Sequence, residues 1–171
     1  MIRSDCSKNR NIGLYGRKKK FNNTVILLEA RGMWKRVMMN ILSNAVKYNK
    51  ENGQIYISCM EIPSEQPKTT TMEFVCRDTG IGMTEEFQKH VFEPFAQEHT
   101  GSRTKFTGTG LGMAIAKKLV EKMGGTITFE SAEDVGTTFV IRVRSGSIQT
   151  GVTKLKPEKK RKNLSVECIF F

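Results

Sequence analysis

The most regular hydrophobic pattern in the chain lies between Met33 and Asn49. Apolar side chains recur there at intervals of three and four residues, which places them on one face of an α-helix. They are Trp34, Val37, Met38, Ile41, Leu42 and Ala45. The turn-forming pair Asn52-Gly53 follows, so the pattern predicts a long amphipathic helix that ends before residue 52.

Shorter patterns predict the elements in the first two thirds of the chain. Alternating apolar residues predict strands over residues 54–60 and 72–77, separated by a polar loop at 63–71, and a further strand is expected at 24–29. Thr84, followed by two glutamates, predicts the N-cap of a short helix. Residues 1–22 are polar and basic and show no period, so no element is predicted for them.

The helical period returns over residues 111–123 and ends at Gly124-Gly125. The segment before it, residues 96–110, is rich in Gly, Thr and Ser, as long binding loops and lids often are. Two strands follow at 126–130 and 137–143, close enough to form a hairpin.

These elements predict one α/β domain. Because neighbouring strands are joined mostly as hairpins, we expect a mixed, mostly antiparallel sheet. The apolar stripes of the helices need a partner, so a two-layer sandwich with the helices on one face is the simplest arrangement. A length of 171 residues fits one domain with tails. We assign residues 1–23 to an atypical basic N-terminal segment, 24–145 to the domain, and 146–171 to a basic linker or tail.

The formal net charge of +11 raises the possibility of nucleic-acid binding. The basic clusters, however, lie near the ends, at residues 17–20 and 154–162, and no aromatic residues interleave with them to stack on bases. Solvated terminal segments explain them better, and no nucleic-acid partner is expected.

Cysteine spacing and hydropathy add two exclusions. The four cysteines are scattered without a metal-binding or paired pattern, so we expect reduced thiols, with Cys59 and Cys76 as small apolar residues within strands. No apolar run approaches the length needed to span a bilayer, and the first residues lack a secretory leader pattern. A soluble cytoplasmic location, with no membrane segment in this chain, is expected.

Three features could carry chemistry, and each has a structural alternative. The glycine-rich segment at residues 108–112 opens into a helix, whose free N–H groups favour phosphate, although a flexible hinge explains it equally well. Asn40, Asn44 and Lys47 share one helix stripe, which suits Mg²⁺ and phosphate but also suits a solvated face. Asp78 ends a strand before two glycines, where it could bind a base amine or order a turn.

The combination of these features resembles a known family. The segments at residues 40–48 (NILSNAVKY), 78–83 (DTGIGM), 92–95 (FEPF) and 108–113 (GTGLGM) closely resemble the N, G1, F and G2 boxes of sensor histidine kinases, in the same order. The resemblance covers roughly residues 33 to 144. It implies the ATP-binding fold shared with gyrase, MutL and the large heat-shock chaperones, and it implies that 24–145 is an ATP-binding catalytic domain.

At the phosphate end, the resemblance implies a magnesium-binding role for Asn44, with Asn40 beside it, and a phosphate contact for Lys47. The backbone at Gly108, Gly110, Leu111 and Gly112 would hold the phosphates of ATP, and residues 96–107, which include Arg103, would form a mobile lid.

At the base end, the resemblance implies that Tyr48 packs on adenine and that Asp78 binds its exocyclic amine. Gly80 and Gly82 would allow close approach beside Asp78, and Thr137 would assist. Phe92 and Phe95 are explained equally well by core packing, so neither is assigned a catalytic role.

Kinases of this family phosphorylate a histidine on a helical dimerisation domain, and neither histidine here resembles that acceptor. His90 precedes the F box and is expected as a surface residue or a hydrogen-bonded helix residue, and His99 is expected as an exposed residue of the lid. The expected partner is therefore a histidine-containing dimerisation domain in the same or another chain, with a response-regulator receiver as an indirect partner. The chain is expected to be a fragment or truncated product, for instance of a hybrid kinase.

Three hypotheses about function follow. The first is a kinase module that transfers the γ-phosphoryl of ATP to a separate histidine. The second is a nucleotide-binding module without phosphotransfer. The third, an ATPase of the gyrase or chaperone type, is least favoured, because such enzymes need further domains and the F box favours kinases.

Overall fold

Helix α1 spans Arg31–Lys47 and forms where the hydrophobic period is strongest. Its predicted stripe is buried at five of six positions, at Trp34, Val37, Met38, Ile41 and Ala45, while Leu42 is half-buried. The computed structural model describes residues 13–18, 31–63, 70–98 and 109–145. The predicted strand at 24–29 lies outside these residues.

Within the described residues, five strands form a single sheet. They are β1 (Gly13–Lys18), β2 (Gln54–Pro63), β3 (Thr70–Asp78), β4 (Thr126–Ala132) and β5 (Gly136–Ser145), in the spatial order β1-β2-β3-β5-β4. Only β1 and β2 pair in parallel, and the other three pairings are antiparallel. The prediction of a mixed, mostly antiparallel sheet is confirmed.

The strand register collects the apolar side chains on one face of the sheet. Cys76 of β3 lies opposite Ile57 of β2 and opposite Phe139 of β5, and Phe129 of β4 lies opposite Phe139. Side chains alternate between faces along a strand, so these residues share a face. Helix α1 and helix α3 (Gly112–Lys122) pack together and cover that face, which confirms the two-layer sandwich with its helices on one side.

Turn and cap chemistry follows the predictions in the described residues. Thr84 caps the short helix α2 (Glu85–Gln88), and its hydroxyl accepts a hydrogen bond from the amide of Phe87 at 3.2 Å. Gly124 follows α3 with φ of +69°, a left-handed conformation that glycine adopts without steric cost. None of the helices within the described residues combines the length and hydrophobicity that crossing a bilayer requires.

Two strand boundaries differ from the sequence pattern. The pairing of β2 and β3 continues to Pro63 and Thr70, which shortens the predicted loop at 63–71. Strand β1 lies in the basic segment for which no element was predicted, and it pairs Leu14 with Ile55. An edge strand of six residues is held by backbone hydrogen bonds to one neighbour, so its side chains need not alternate in polarity.

Both cysteines in the described residues are free thiols, as expected. Cys76 is buried in the core and Cys59 is half-buried beside it. Burial raises the pKa of the Cys59 thiol to about 11. Burial, with a smaller contribution from the charge of Asp78, raises the pKa of Cys76 to about 12. The thiols therefore stay protonated and act as apolar packing groups.

Candidate functional site

Asp78 ends β3 on the face of the sheet that carries the core, and its side chain is only 9% exposed. Its Oδ1 atom accepts hydrogen bonds from the backbone N–H of Gly80 at 2.9 Å and of Thr137 at 3.3 Å. Asp78 therefore orders a turn, which is one of the two roles predicted for it from the sequence. Among the described residues no group donates to its Oδ2 atom, which is left as an acceptor.

The electrostatics of Asp78 are unusual for a turn residue. Burial raises the pKa of its carboxyl group, and the hydrogen bonds from Gly80 and Thr137 offset only part of that effect. Within the described residues no cation forms an ion pair with it. A buried carboxylate in this state gains from a ligand that donates hydrogen bonds to it, and such groups are common in binding sites.

Two glycines allow the loop after Asp78 to fit between its neighbours. A Cβ on Gly80 would lie 2.4 Å from the carbonyl oxygen of Tyr48, and that oxygen accepts a hydrogen bond from the amide of Ile81 at 3.0 Å. Gly82 has φ of +67°, and a Cβ there would lie 1.9 Å from the carbonyl oxygen of Ala132. The close approach at both positions is to protein backbone, which fixes the loop between the end of α1 and the β4–β5 hairpin.

Asn40 on α1 faces the start of α3. The Oδ1 atom of Asn40 lies 3.5 Å from where a Cβ on Gly112 would be, and the Nδ2 atom of Asn40 is buried without a hydrogen-bond partner among the described residues. Asn44, one turn further along, is half-buried, and no described residue hydrogen-bonds with its side-chain amide. At the end of the same stripe, the Nζ atom of Lys47 lies 4.8 Å from the centroid of the Tyr48 ring.

The start of α3 has the geometry expected of the glycine-rich motif. Gly110 has φ of +67°, and a Cβ there would lie 2.6 Å from the backbone of Phe95. Leu111 precedes the helix without a side-chain cap, so the first N–H groups of α3 are not capped by that residue. Gly108 and Arg103, the other predicted phosphate and lid residues, lie outside the described residues, as does His99.

The two F-box phenylalanines have different environments. Phe92 packs edge-on against Phe129 at a centroid distance of 5.7 Å, and Phe129 contacts Phe139 in turn. Phe95 is 71% exposed and has φ of +66°. Core packing therefore explains Phe92 but is wrong for Phe95. His90 lies at the surface, as expected, with Nδ1 3.0 Å from a carboxylate oxygen of Glu93.

Sequence reasoning did not identify three residues that hold the site together. Gln88 donates from Nε2 to the carbonyl oxygens of Met83 and Ser131, which ties the Asp78 loop to β4. The Ser131 hydroxyl lies 2.9 Å from that of Thr137. Lys50 donates to the carbonyl oxygen of Asp134 in the hairpin. The two-residue alternation of β4 could have placed Ser131 on the core face, but only the strand register gives its partner.

Comparison with known proteins agrees with the family and the fold. Residues 30–147 match the family model described as Histidine kinase-, DNA gyrase B-, and HSP90-like ATPase. Histidine protein kinase 1 of Candida albicans is 40% identical over 114 residues, which cover 64% of this chain and 4% of that protein. The circadian input-output histidine kinase CikA of Synechococcus elongatus is 35% identical over 130 residues, which cover 76% of this chain and 16% of that protein.

Solved structures share the architecture. The mycobacterial sensor histidine kinase MprB superposes with a TM-score of 0.58 at 23% identity, over 81% of this chain and 85% of that one. The catalytic domain of the histidine kinase ThkA gives a TM-score of 0.56 at 24% identity, over 80% and 82%. The chain spans only a small part of its curated relatives, between 4% and 16% of their length. The chain therefore belongs to the histidine kinase-, DNA gyrase B- and HSP90-like ATPase family, as a homologue of histidine kinase catalytic domains.

Proposed function

We propose that this domain binds MgATP along α1 and transfers the γ-phosphoryl group to a histidine on a separate dimerisation domain, in the same or another chain. One observation carries the proposal: α1 contacts the start of α3 at Asn40 and the Asp78 loop at Tyr48. These contacts are eight residues apart, or about 12 Å along a helix. The start of α3, which would bind the phosphates, and the buried carboxylate of Asp78, which would bind the base, therefore lie near opposite ends of the same stretch of α1.

The base of ATP would bind at the Asp78 end. Oδ2 of Asp78 accepts a hydrogen bond from the exocyclic amine of adenine, with Thr137 assisting and the ring of Tyr48 packing on the base. Gly80 and Gly82 would act indirectly, because the close approach that they allow to Tyr48 and Ala132 holds the loop that carries Asp78. Guanine presents a carbonyl oxygen where adenine has its amine, so a carboxylate acceptor discriminates against it.

The phosphates would bind at the α3 end. The backbone N–H groups at Gly110, Leu111 and Gly112 and the positive end of the α3 dipole favour anions, and Gly108 and Arg103 are proposed to complete this part of the site. Lys47 adds a positive charge from α1, within reach of the chain of phosphates.

The donor set on α1 fits a magnesium ion. Asn44 has a half-buried amide that no described residue engages, and Mg²⁺ prefers oxygen ligands while it keeps waters and substrate phosphates. Asn44 would supply an oxygen ligand, and Asn40 would lie beside the ion with its otherwise unpartnered amide. A bound Mg²⁺ supplies neutralisation of the phosphate charge; the protein supplies the position of the nucleotide.

The proposal also covers the extent of the domain, the next acceptor of the phosphoryl group and the location of the domain. The functional unit would run from β1 to β5, which extends it upstream of residue 24, with residues 146–171 as a linker. The phosphohistidine would pass its phosphoryl group to a response-regulator receiver. A domain that consumes ATP in this way would face the cytoplasm.

The histidine kinase ShkA has been solved in complex with AMPPNP, and its fold matches this chain with a TM-score of 0.53.

The test is phosphotransfer from γ-labelled ATP to a dimerisation domain taken from one of the curated relatives. We expect acid-labile label on the histidine of the added domain, and none on His90 or His99 of the isolated chain. In-line transfer requires the imidazole to be held opposite the leaving group, which residues within the nucleotide-binding unit cannot achieve. Label on either histidine would contradict the proposal. ATP binding without transfer to any supplied domain would favour a nucleotide-binding module instead.

A further inference from the structure

The hydroxyl group of Ser131 makes two polar contacts at the end of β4. Its Oγ atom lies 3.1 Å from the carbonyl oxygen of Gly136 and 2.9 Å from the Oγ1 atom of Thr137. A carbonyl oxygen can only accept, so the single hydroxyl proton of Ser131 is donated to Gly136. Thr137 must then donate its own proton to Ser131.

This order of donation fixes what Thr137 can offer to a ligand. With its proton engaged by Ser131, the Thr137 hydroxyl presents only lone pairs. The amide of the same residue donates to Oδ1 of Asp78, which leaves Oδ2 as an acceptor. Both residues lie on the core face of the sheet, where the end of β3 lies beside the start of β5. The site therefore offers two hydrogen-bond acceptors, Oδ2 of Asp78 and Oγ1 of Thr137. The Thr137 hydroxyl does not compete as a donor.

We propose that Ser131 is a positioning residue for base recognition: it holds the Thr137 hydroxyl as an acceptor, so that the site selects a purine edge rich in hydrogen-bond donors. This inference rests on the proposed function and deepens it. An amino-purine meets the requirement with the two N–H groups of its exocyclic amine, reached directly or through an ordered water. Without Ser131, the Thr137 hydroxyl is free to rotate and to act as a donor, and discrimination falls.

The backbone of Ser131 is fixed independently of its hydroxyl group. The amide of Gln88 donates to the carbonyl oxygen of Ser131 at 3.2 Å and to that of Met83 at 3.0 Å. Pairing with Thr137 in the β4–β5 ladder holds the same residue from the other side. Removal of the Ser131 hydroxyl should therefore release the Thr137 hydroxyl from its role as an acceptor. The position of β4 should stay unchanged.

The test compares MgATP with the triphosphate of purine riboside, which has the same ring system without the exocyclic amine. Dissociation constants are measured by calorimetry for the parent chain and for Ser131→Ala, together with unfolding midpoints. We expect Ser131→Ala to weaken ATP about five- to tenfold, the loss of roughly one hydrogen bond, and to change the second nucleotide less than twofold. Ser131→Thr keeps a hydroxyl and should restore the preference.

Two further variants separate recognition from structure. Ser58→Ala, on β2 and on the opposite face of the sheet, should change neither constant. In a Thr137→Val background the hydroxyl that Ser131 orients is gone, so adding Ser131→Ala should not reduce the preference further. Equal weakening of both nucleotides, or an unchanged preference in Ser131→Ala, would overturn the role of Ser131. If the parent chain binds ATP but does not prefer it over the purine riboside nucleotide, both this inference and the proposed base site are wrong. If the parent chain prefers ATP but transfers no phosphoryl group, only the proposed phosphotransfer is contradicted.

Discussion

The backbone amide of Thr137 donates a hydrogen bond to Oδ1 of Asp78 at 3.3 Å, although the two residues are 59 positions apart in the chain. The bond joins the ends of β3 and β5 and uses one carboxylate oxygen. Among the described residues nothing donates to the other oxygen, which is a potential ligand contact. The first two predictions concern this carboxylate.

Asp78→Asn should reverse or abolish a preference for ATP over GTP. The two backbone N–H groups that contact Oδ1 would hold the amide oxygen of the variant, which puts its NH₂ group where Oδ2 was. A donor there repels the adenine amine and suits the guanine carbonyl oxygen, so ATP affinity should fall about 10- to 100-fold. Competition between the two nucleotides measures this effect, and an Asp78→Asn chain that keeps the full ATP preference would exclude base recognition by Asp78.

The same substitution should not lower stability at neutral pH. Because burial raises the pKa of Asp78 above its unfolded value, the ionised group opposes folding, and that penalty is absent when the carboxyl is protonated. The free energy of unfolding of Asp78→Asn should therefore equal or exceed that of the parent at pH 7. The difference should shrink as pH falls toward 4, because the parent then protonates. Urea titrations at several pH values test this; a variant that is less stable at pH 7 would show that the charged form is net stabilising.

Asn44→Ala should remove the magnesium dependence of nucleotide binding. We expect the affinity for MgATP to fall by at least roughly tenfold, while the affinity measured with EDTA changes little, since only the metal loses a ligand. Ser43→Ala, an exposed neighbour on α1, is the matched control and should bind as the parent does. If Asn44→Ala binds MgATP with parental affinity, Asn44 is part of a solvated helix face.

Gly80→Ala should be destabilising, whereas Gly32→Ala should not. The added methyl group at Gly80 would lie 2.4 Å from the Tyr48 carbonyl oxygen. The backbone at Gly80 and the backbone at Tyr48 must therefore move apart to admit it. We expect a loss of about 1–3 kcal/mol in the free energy of unfolding. A Cβ on Gly32 meets nothing within 4 Å, so helix propensity should raise stability there by up to about 1 kcal/mol. Equal effects at the two positions would contradict the close approach at Gly80.

The two F-box phenylalanines should respond differently to truncation. Phe92→Ala removes a half-buried ring from the contact with Phe129 and should cost about 2 kcal/mol of unfolding free energy. Phe95 is exposed, so Phe95→Ala should change stability by less than about 0.5 kcal/mol. Thermal denaturation of the two variants in parallel makes the comparison, and a large loss in Phe95→Ala alone would show that the assignment is reversed.

Elements whose signals are local could be predicted from the amino-acid sequence. The period of α1 recurs over adjacent turns of one helix, so Trp34 and Ile41 could be assigned to the core without knowledge of the rest of the chain. The caps at Thr84 and Gly124 depend only on neighbouring residues. The four motifs likewise indicated the family, because their order and spacing are properties of the chain.

Which side chains contact one another depended on the packing of distant segments. Strand pairing joins residues far apart in sequence, and alternation shows which face a residue occupies without showing its partner. The register of β3, β5 and β4 was therefore needed to bring Asp78, Thr137 and Ser131 together. Strand β1 escaped prediction because an edge strand is held by backbone bonds to one neighbour. The exposure of Phe95 also had no local signal, since it follows from a left-handed backbone fixed by contact with Gly110.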